Sequence, residues 1–285
     1  MKKHFKTVLG ILAILCSLFG IAQKPSPSQE RYIDSLTAHW AKPKLPGGAM
    51  AIIREGQVVL QKTLGSAKVD QNKPIISETA FQLGQLSNGF IAYAVLQLHY
   101  NNQLSLQEPV HNYLPQLKLS KEVKIIHLLQ QSSGIHDYEV LKHIAGWNDH
   151  AFFSKEDALG LIAQQEELAF VPGSEFSQSR SNMLLASQVV EKAANMPFAE
   201  YMEMQVFKAL GMNNTYVLSA KNQNTANFAR SYRIDENNLA STVSANKETY
   251  ADINIVASIA DMVRWEKHIR EPTINFQKAV DHFKR

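Results

Sequence analysis

The chain has 285 residues, 45% of them hydrophobic and 19% charged. These proportions exclude a disordered or coiled-coil protein and suit one or two domains with a substantial core. Setting aside Lys2, Lys3 and Lys6 in the leader described below, the 29 Lys and Arg become 26, against 26 Asp and Glu, so there is no electrostatic ground for a nucleic-acid partner or an anionic membrane surface.

The first 22 residues read as an export signal. Met1-Lys2-Lys3-His4-Phe5-Lys6 is a basic start, Val8 to Ile21 is mostly apolar, and Gly20-Ile21-Ala22 places small residues at both ends of a cleavage triplet. The apolar run is short for a bilayer span, and no later stretch is longer. Leu15 ahead of Cys16 does not suit a lipoprotein signal. Cleavage near Ala22 predicts a periplasmic or secreted protein with no stable membrane span. Cys16 is the single cysteine and would leave with the leader, so no disulfide, thiol nucleophile or Cys-bound metal is expected.

Residues 23–44 read as a spacer with Pro25 and Pro27, then a helix from Arg31 to Ala41 with Tyr32, Ile33, Leu36 and Trp40 at helical spacing. Pro46-Gly47-Gly48 breaks the chain, and the two apolar runs Ala49 to Ile53 and Gln57 to Gln61 flank Arg54-Glu55-Gly56, a β-hairpin pattern. A helix is predicted over Gln85 to Tyr100, with Leu86, Phe90, Ala94 and Leu98 every fourth residue and Ile91 and Val95 widening the stripe. Further helices are predicted at Ser154 to Gln165, Ser181 to Ala194 and Phe198 to Leu210. Ser258 with Asp261 forms a capping-box start, followed by Met262, Trp265 and Ile269 on one face.

Several segments, in order, resemble the serine β-lactamase and penicillin-binding-protein superfamily, in the branch of class C β-lactamases, D-alanyl-D-alanine carboxypeptidases and related esterases. They are Pro46 to Ala49 with Gly56 to Val59, Phe81-Gln82-Leu83-Gly84, Leu104-Ser105-Leu106 with Tyr113-Leu114-Pro115, His127-Leu128-Leu129 with Ser132-Ser133-Gly134-Ile135, Pro172-Gly173 with Phe176-Ser177, and Leu210-Gly211-Met212. The resemblance implies that residues 45–285 form a related region, incomplete at its C-terminus, with an α/β domain packed against a mostly helical domain and the cleft between them. Residues 45–80 would supply the first strands and roughly 81–215 most of the helices.

The resemblance also implies three catalytic elements, and each is altered here. Where Ser-x-x-Lys is expected, the chain has Gln85-Leu86-Ser87-Asn88, so Gln85 stands at the nucleophile position and Asn88 at that of the lysine. Where Tyr-x-Asn is expected, it has Gln178-Ser179-Arg180, with Gln178 for the tyrosine and Arg180 for the asparagine. A carboxamide is neither a usable nucleophile nor a base near neutral pH, and arginine stays protonated. The third element, Lys/His-Ser/Thr-Gly on a late strand, needs a glycine, and the last one is Gly211. The strands that would carry it are expected to be missing from the C-terminal part, leaving the hairpin with few partners.

Two functional readings follow. In one, the protein is an exported, catalytically inactive relative whose cleft takes a peptidoglycan peptide or a partner protein. Gln85, Asn88, Gln178 and Arg180 are then polar fillers, or Arg180 makes the cleft an anion binder. In the other, it is a working serine hydrolase of esterase, peptidase or β-lactamase type with an unconventional nucleophile, Ser87 or Ser179. Neither reading calls for a cofactor. His136, Asp137, His143 and His150 match no metal-site spacing, and His127 reads as a hydrogen-bonded histidine within an apolar stretch.

Overall fold

Two helices buried on almost every side organise the molecule, and the strands and shorter helices are laid around them. The computed structural model describes residues 24–42, 44–118, 122–148, 153–219, 227–236, 239–242 and 254–270. The expected leader with Cys16, His150 and the segment from Glu271 to Arg285 lie outside the described residues.

The first helix, α1 (Pro27–Thr37), starts earlier than its apolar spacing suggests. Ser26 and Gln29 form a reciprocal capping box, and Pro27 takes a position whose N–H has no helical partner. It tightens into a 3-10 turn at Ala38–Ala41. The hairpin is present as expected. β1 (Gly48–Arg54) pairs antiparallel with β2 (Gln57–Leu64), from Gly48 opposite Leu64 to Arg54 opposite Gln57, with a bulge between Ile52 and Ile53. Glu55 and Gly56 both have positive φ, 51° and 73°, as a two-residue type I′ turn requires. At Gly47 a Cβ would come 1.9 Å from the Leu64 carbonyl oxygen, so only glycine lets the chain enter β1 there.

β3 (Ser66–Lys68) and β4 (Lys73–Pro74) form a second small pair. β5 (Ala80–Gln82) leads through a 3-10 turn, Gly84–Leu86, into α2 (Ser87–Tyr100). Then come α3 (Ile125–Leu129), α4 (Tyr138–Ile144), α5 (Lys155–Ala163) and α6 (Arg180–Ala194). α7 (Phe198–Tyr201) continues as a π-helical turn, Met202–Phe207, so the helix expected over Phe198 to Leu210 is only partly α-helical. β6 (Tyr216–Val217), β7 (Tyr232–Ile234), β8 (Ala240–Thr242) and β9 (Ile255–Ser258) precede α8 (Ile259–Arg270). β9 is the centre of a three-stranded antiparallel sheet ordered β5-β9-β6, and β7 pairs with β8.

The stripe predicted for α2 is not one-sided. Phe90, Ile91, Tyr93, Ala94, Val95, Leu96 and Leu98 are all buried, which surrounds the helix axis. Leu86 drops out of the stripe at 65% exposure, because it belongs to the 3-10 turn ahead of the helix. α6 packs along α2 and buries every residue from Ser181 to Val190. Of its polar members, Ser181 Oγ donates to the His136 carbonyl (2.7 Å) and Ser187 Oγ to that of Leu184 (2.7 Å), while Gln188 Nε2 is buried without a partner among the described residues.

α8 closes the other side of α2. Trp265 stacks on Phe90 with ring centres 4.1 Å apart, and the Tyr93 hydroxyl meets His268 Nε2 at 2.9 Å. The helix begins where the capping pattern places it, with Asp261 N donating to Ser258 Oγ (3.2 Å). The fully buried Asp261 carboxylate accepts from Asn214 N, Thr215 Oγ1 and Arg264, so its charge is paired and hydrogen-bonded.

α8 also packs on β1. Among the described residues, however, β1 and β2 have no third strand, and no residue of either is fully buried. A hairpin alone is marginally stable. Amide exchange at Met50 to Ile53 is therefore expected to be at least about a hundredfold faster than at Leu96 and Leu98 in α2. Equal protection, read by mass spectrometry of the monomer, would contradict this.

Candidate functional site

The first turns of α2 and α6 open onto one cleft of about 170 Å³. On the α2 side, Leu83 N donates to the Ile255 carbonyl (2.9 Å), anchoring the chain to β9 just before the turn. Gly84 at φ +53° then reverses direction, placing Gln85 in the 3-10 turn and Asn88 in the first turn of α2. On the α6 side, Gln178, Ser179 and Arg180 line the same cleft, with Ile91, Met183 and Leu184 as apolar neighbours. The four positions singled out in sequence, Gln85, Asn88, Gln178 and Arg180, are thus brought together.

Two lining residues carried no sequence signal, Gln131 and Asn254. Gln131, at φ +56°, clamps the approach to α6. Its carbonyl accepts from Ser177 N (2.9 Å), and its Oε1 accepts from both Ser179 N (2.9 Å) and Asn182 Nδ2 (2.7 Å). Asn182 Oδ1 accepts in turn from Ser133 Oγ (2.5 Å). Gln131 falls among the unspecified positions of the His127 to Ile135 segment, so only its left-handed backbone, invisible in sequence, marks it.

The loop behind this clamp relies on Gly134. At φ +77° a Cβ there would lie 2.4 Å from the Phe170 carbonyl oxygen. At Gly173, φ +86°, the approach is to His127 Nε2. His127 is half-buried, as expected for a hydrogen-bonded histidine: its Nδ1 accepts from Lys124 N (3.2 Å). Burial, and secondarily the neighbouring Lys124 charge, lower its pKa below the usual 6.5.

The candidate nucleophiles of the hydrolase reading fare differently. Ser87 is 1% exposed and does not line the cleft, and its Oγ accepts from Ile255 N at 3.0 Å. It is a structural clamp between α2 and β9. Ser179 does line the cleft; it is 3% exposed, and its Oγ has no hydrogen-bond partner. No Lys, His, Tyr, Asp or Glu lines the cleft among the described residues, so Ser179 has no base beside it there.

Arg180 has an acidic neighbour. Its guanidinium lies 3.7 Å from Glu139, which also pairs with the buried Lys142 at 3.7 Å. Its backbone N–H donates to Asp137 Oδ2 (2.9 Å), while Asp137 Oδ1 caps α4 by accepting from Glu139 N (2.8 Å). Asp137, part of the His136 to His150 group, thus joins the starts of two helices.

A model of the beta-lactamase family matches residues 33–283, and the chain belongs to that family. A D-aminopeptidase of Gluconobacter oxydans (strain 621H) is 26% identical over 226 residues, 79% of this chain and 42% of the relative. This chain therefore spans less than half the length of that relative. The octameric penicillin-binding protein homologue from Pyrococcus abyssi has a TM-score of 0.71 at 25% identity, covering 86% of this chain and 56% of that one. A penicillin-binding protein from Bacillus halodurans, at 23% identity, has a TM-score of 0.69 with 84% and 73% coverage. The fold is that of penicillin-binding and β-lactamase-like proteins.

Two predictions follow from these contacts. Ser87→Ala leaves the buried Ile255 N–H without an acceptor and should lower unfolding stability by about 1–3 kcal/mol in denaturant titration. The second concerns His127, and also His268, whose pKa burial likewise lowers below 6.5. The unfolded chain takes up their protons first, so stability should decline as pH drops below 6.5 and level off once the folded-state values are passed. Thermal midpoints across this window should decline less steeply in His127→Gln.

Proposed function

We propose that the protein is an exported, non-hydrolytic member of the beta-lactamase family that keeps the cleft as a binding site. The observation that carries this reading is the cleft lining, where carboxamides occupy the paired positions and no general base accompanies the single hydroxyl among the described residues. Acyl transfer needs a nucleophile and a group to take its proton. The Gln85 carboxamide has no proton to yield near neutral pH, and neither Asn88 nor Gln178 can accept one. Arg180 remains a cation. In a serine protease, loss of the nucleophile alone costs on the order of 10⁶ in turnover.

The leader at residues 1–22 supports export to the periplasm or beyond. The relative named D-aminopeptidase supports a peptide as occupant of the cleft, and a peptidoglycan peptide fits that class. No described helix is long and apolar enough to cross a membrane.

Intact mass spectrometry of protein recovered from the periplasm or medium tests both halves. The expected mass begins at Gln23 and is unchanged after a fluorophosphonate or a penicillin. A retained Met1 would refute export, and a stoichiometric adduct mapping to Ser179 would instead establish the serine-hydrolase reading. Gln85→Ser alone is expected to give no turnover of either an ester or a β-lactam, since the restored hydroxyl still has no lysine at position 88.

A further inference from the structure

The groups left open in the cleft are neutral. Among the described residues the side chains of Gln85, Asn88, Gln178 and Asn254 make no hydrogen bond, and each offers both a donor and an acceptor. Ser179, on the same wall as Gln178, holds a buried hydroxyl with no partner. A hydroxyl so placed is unfavourable unless something supplies its bond.

The charges nearby are already met. The positive end of α6 is engaged by Asp137, which accepts from Arg180 N, and the Arg180 side chain stands against Glu139. A carboxylate entering the cleft would have to share Arg180 with Glu139, itself also paired with Lys142, and would stand near Asp137. A cationic ligand would find no carboxylate among the described lining residues. The volume, about 170 Å³, is that of roughly five or six waters, room for one small residue.

We infer that the cleft is a receptor for a neutral amide, a primary carboxamide or the peptide unit of an uncharged chain end, which takes its hydrogen bonds from these carboxamides and from Ser179 Oγ. The inference rests on the non-hydrolytic reading above and names the class of ligand it would hold. An amide matches a carboxamide wall donor to acceptor, whereas an anion would surrender its hydration for Arg180 alone, a cation already set against Glu139.

The test is titration of the full mature protein with N-acetylalaninamide, in both enantiomers, and with N-acetylalanine, followed by NMR chemical shifts. At least one amide should bind in the millimolar range, and the carboxylate about tenfold more weakly. Ser179→Ala should weaken the amide about fivefold without lowering the thermal midpoint, because the hydroxyl it removes has no partner in the free protein. Asn88→Leu, at a half-exposed position, should weaken it comparably. Equal or tighter binding of the carboxylate, no binding of any of the three, or amide binding indifferent to both variants would each overturn the inference. Those outcomes leave the intact mass unchanged, whereas failure of the non-hydrolytic reading shows as a covalent adduct.

Discussion

The packing of α2 against α6 decides where the rest of the molecule lies. Both helices bury nearly their whole circumference, so neither has a face free to slide, and their N-terminal turns are held in fixed relation. The cleft is the gap between those turns, with Gln85 and Asn88 contributed by one and Gln178, Ser179 and Arg180 by the other. α8 reinforces the arrangement by stacking Trp265 on Phe90 and by anchoring its own start through the buried Asp261. Local stability and site geometry thus have a common source.

The hydrogen bonds that shape the cleft run through Gln131, Asn182, Ser133 and Ser87, and not through the side chains of Gln85, Asn88, Gln178 or Arg180. The walls of the cleft are therefore held independently of the polar side chains that face into it. Those four side chains, all lining the cleft, share one chemical character. Three are carboxamides, and the fourth is an arginine set against Glu139, so the cleft remains polar without gaining an uncompensated charge.

The hairpin is the part least secured by this core. β1 and β2 follow the turn chemistry of Glu55-Gly56 closely, yet their apolar residues are half-buried at most. Their support among the described residues comes from α8 and from Trp40, against which Gly48 is placed. The stability of the sheet edge and that of the helical core are accordingly separable.

Features governed by neighbouring residues were legible in the sequence. The Glu55-Gly56 turn, the Ser258 and Asp261 cap and the course of α6 all depend on interactions across a few positions. The polar residue types at 85, 88, 178 and 180, which line the cleft, were legible as well. The length of α2's apolar surround, the π-helical turn after Tyr201 and the strand at Ile255–Ser258 were not legible, because tertiary packing outweighs periodicity in short or fully buried segments. Only the fold decided that Ser87 holds Ile255 while Ser179 is left without a partner, and that Arg180 meets Glu139. Those outcomes turn on groups 41 to 168 positions apart in the chain, a separation across which local sequence carries no physical constraint and close packing supplies all of it.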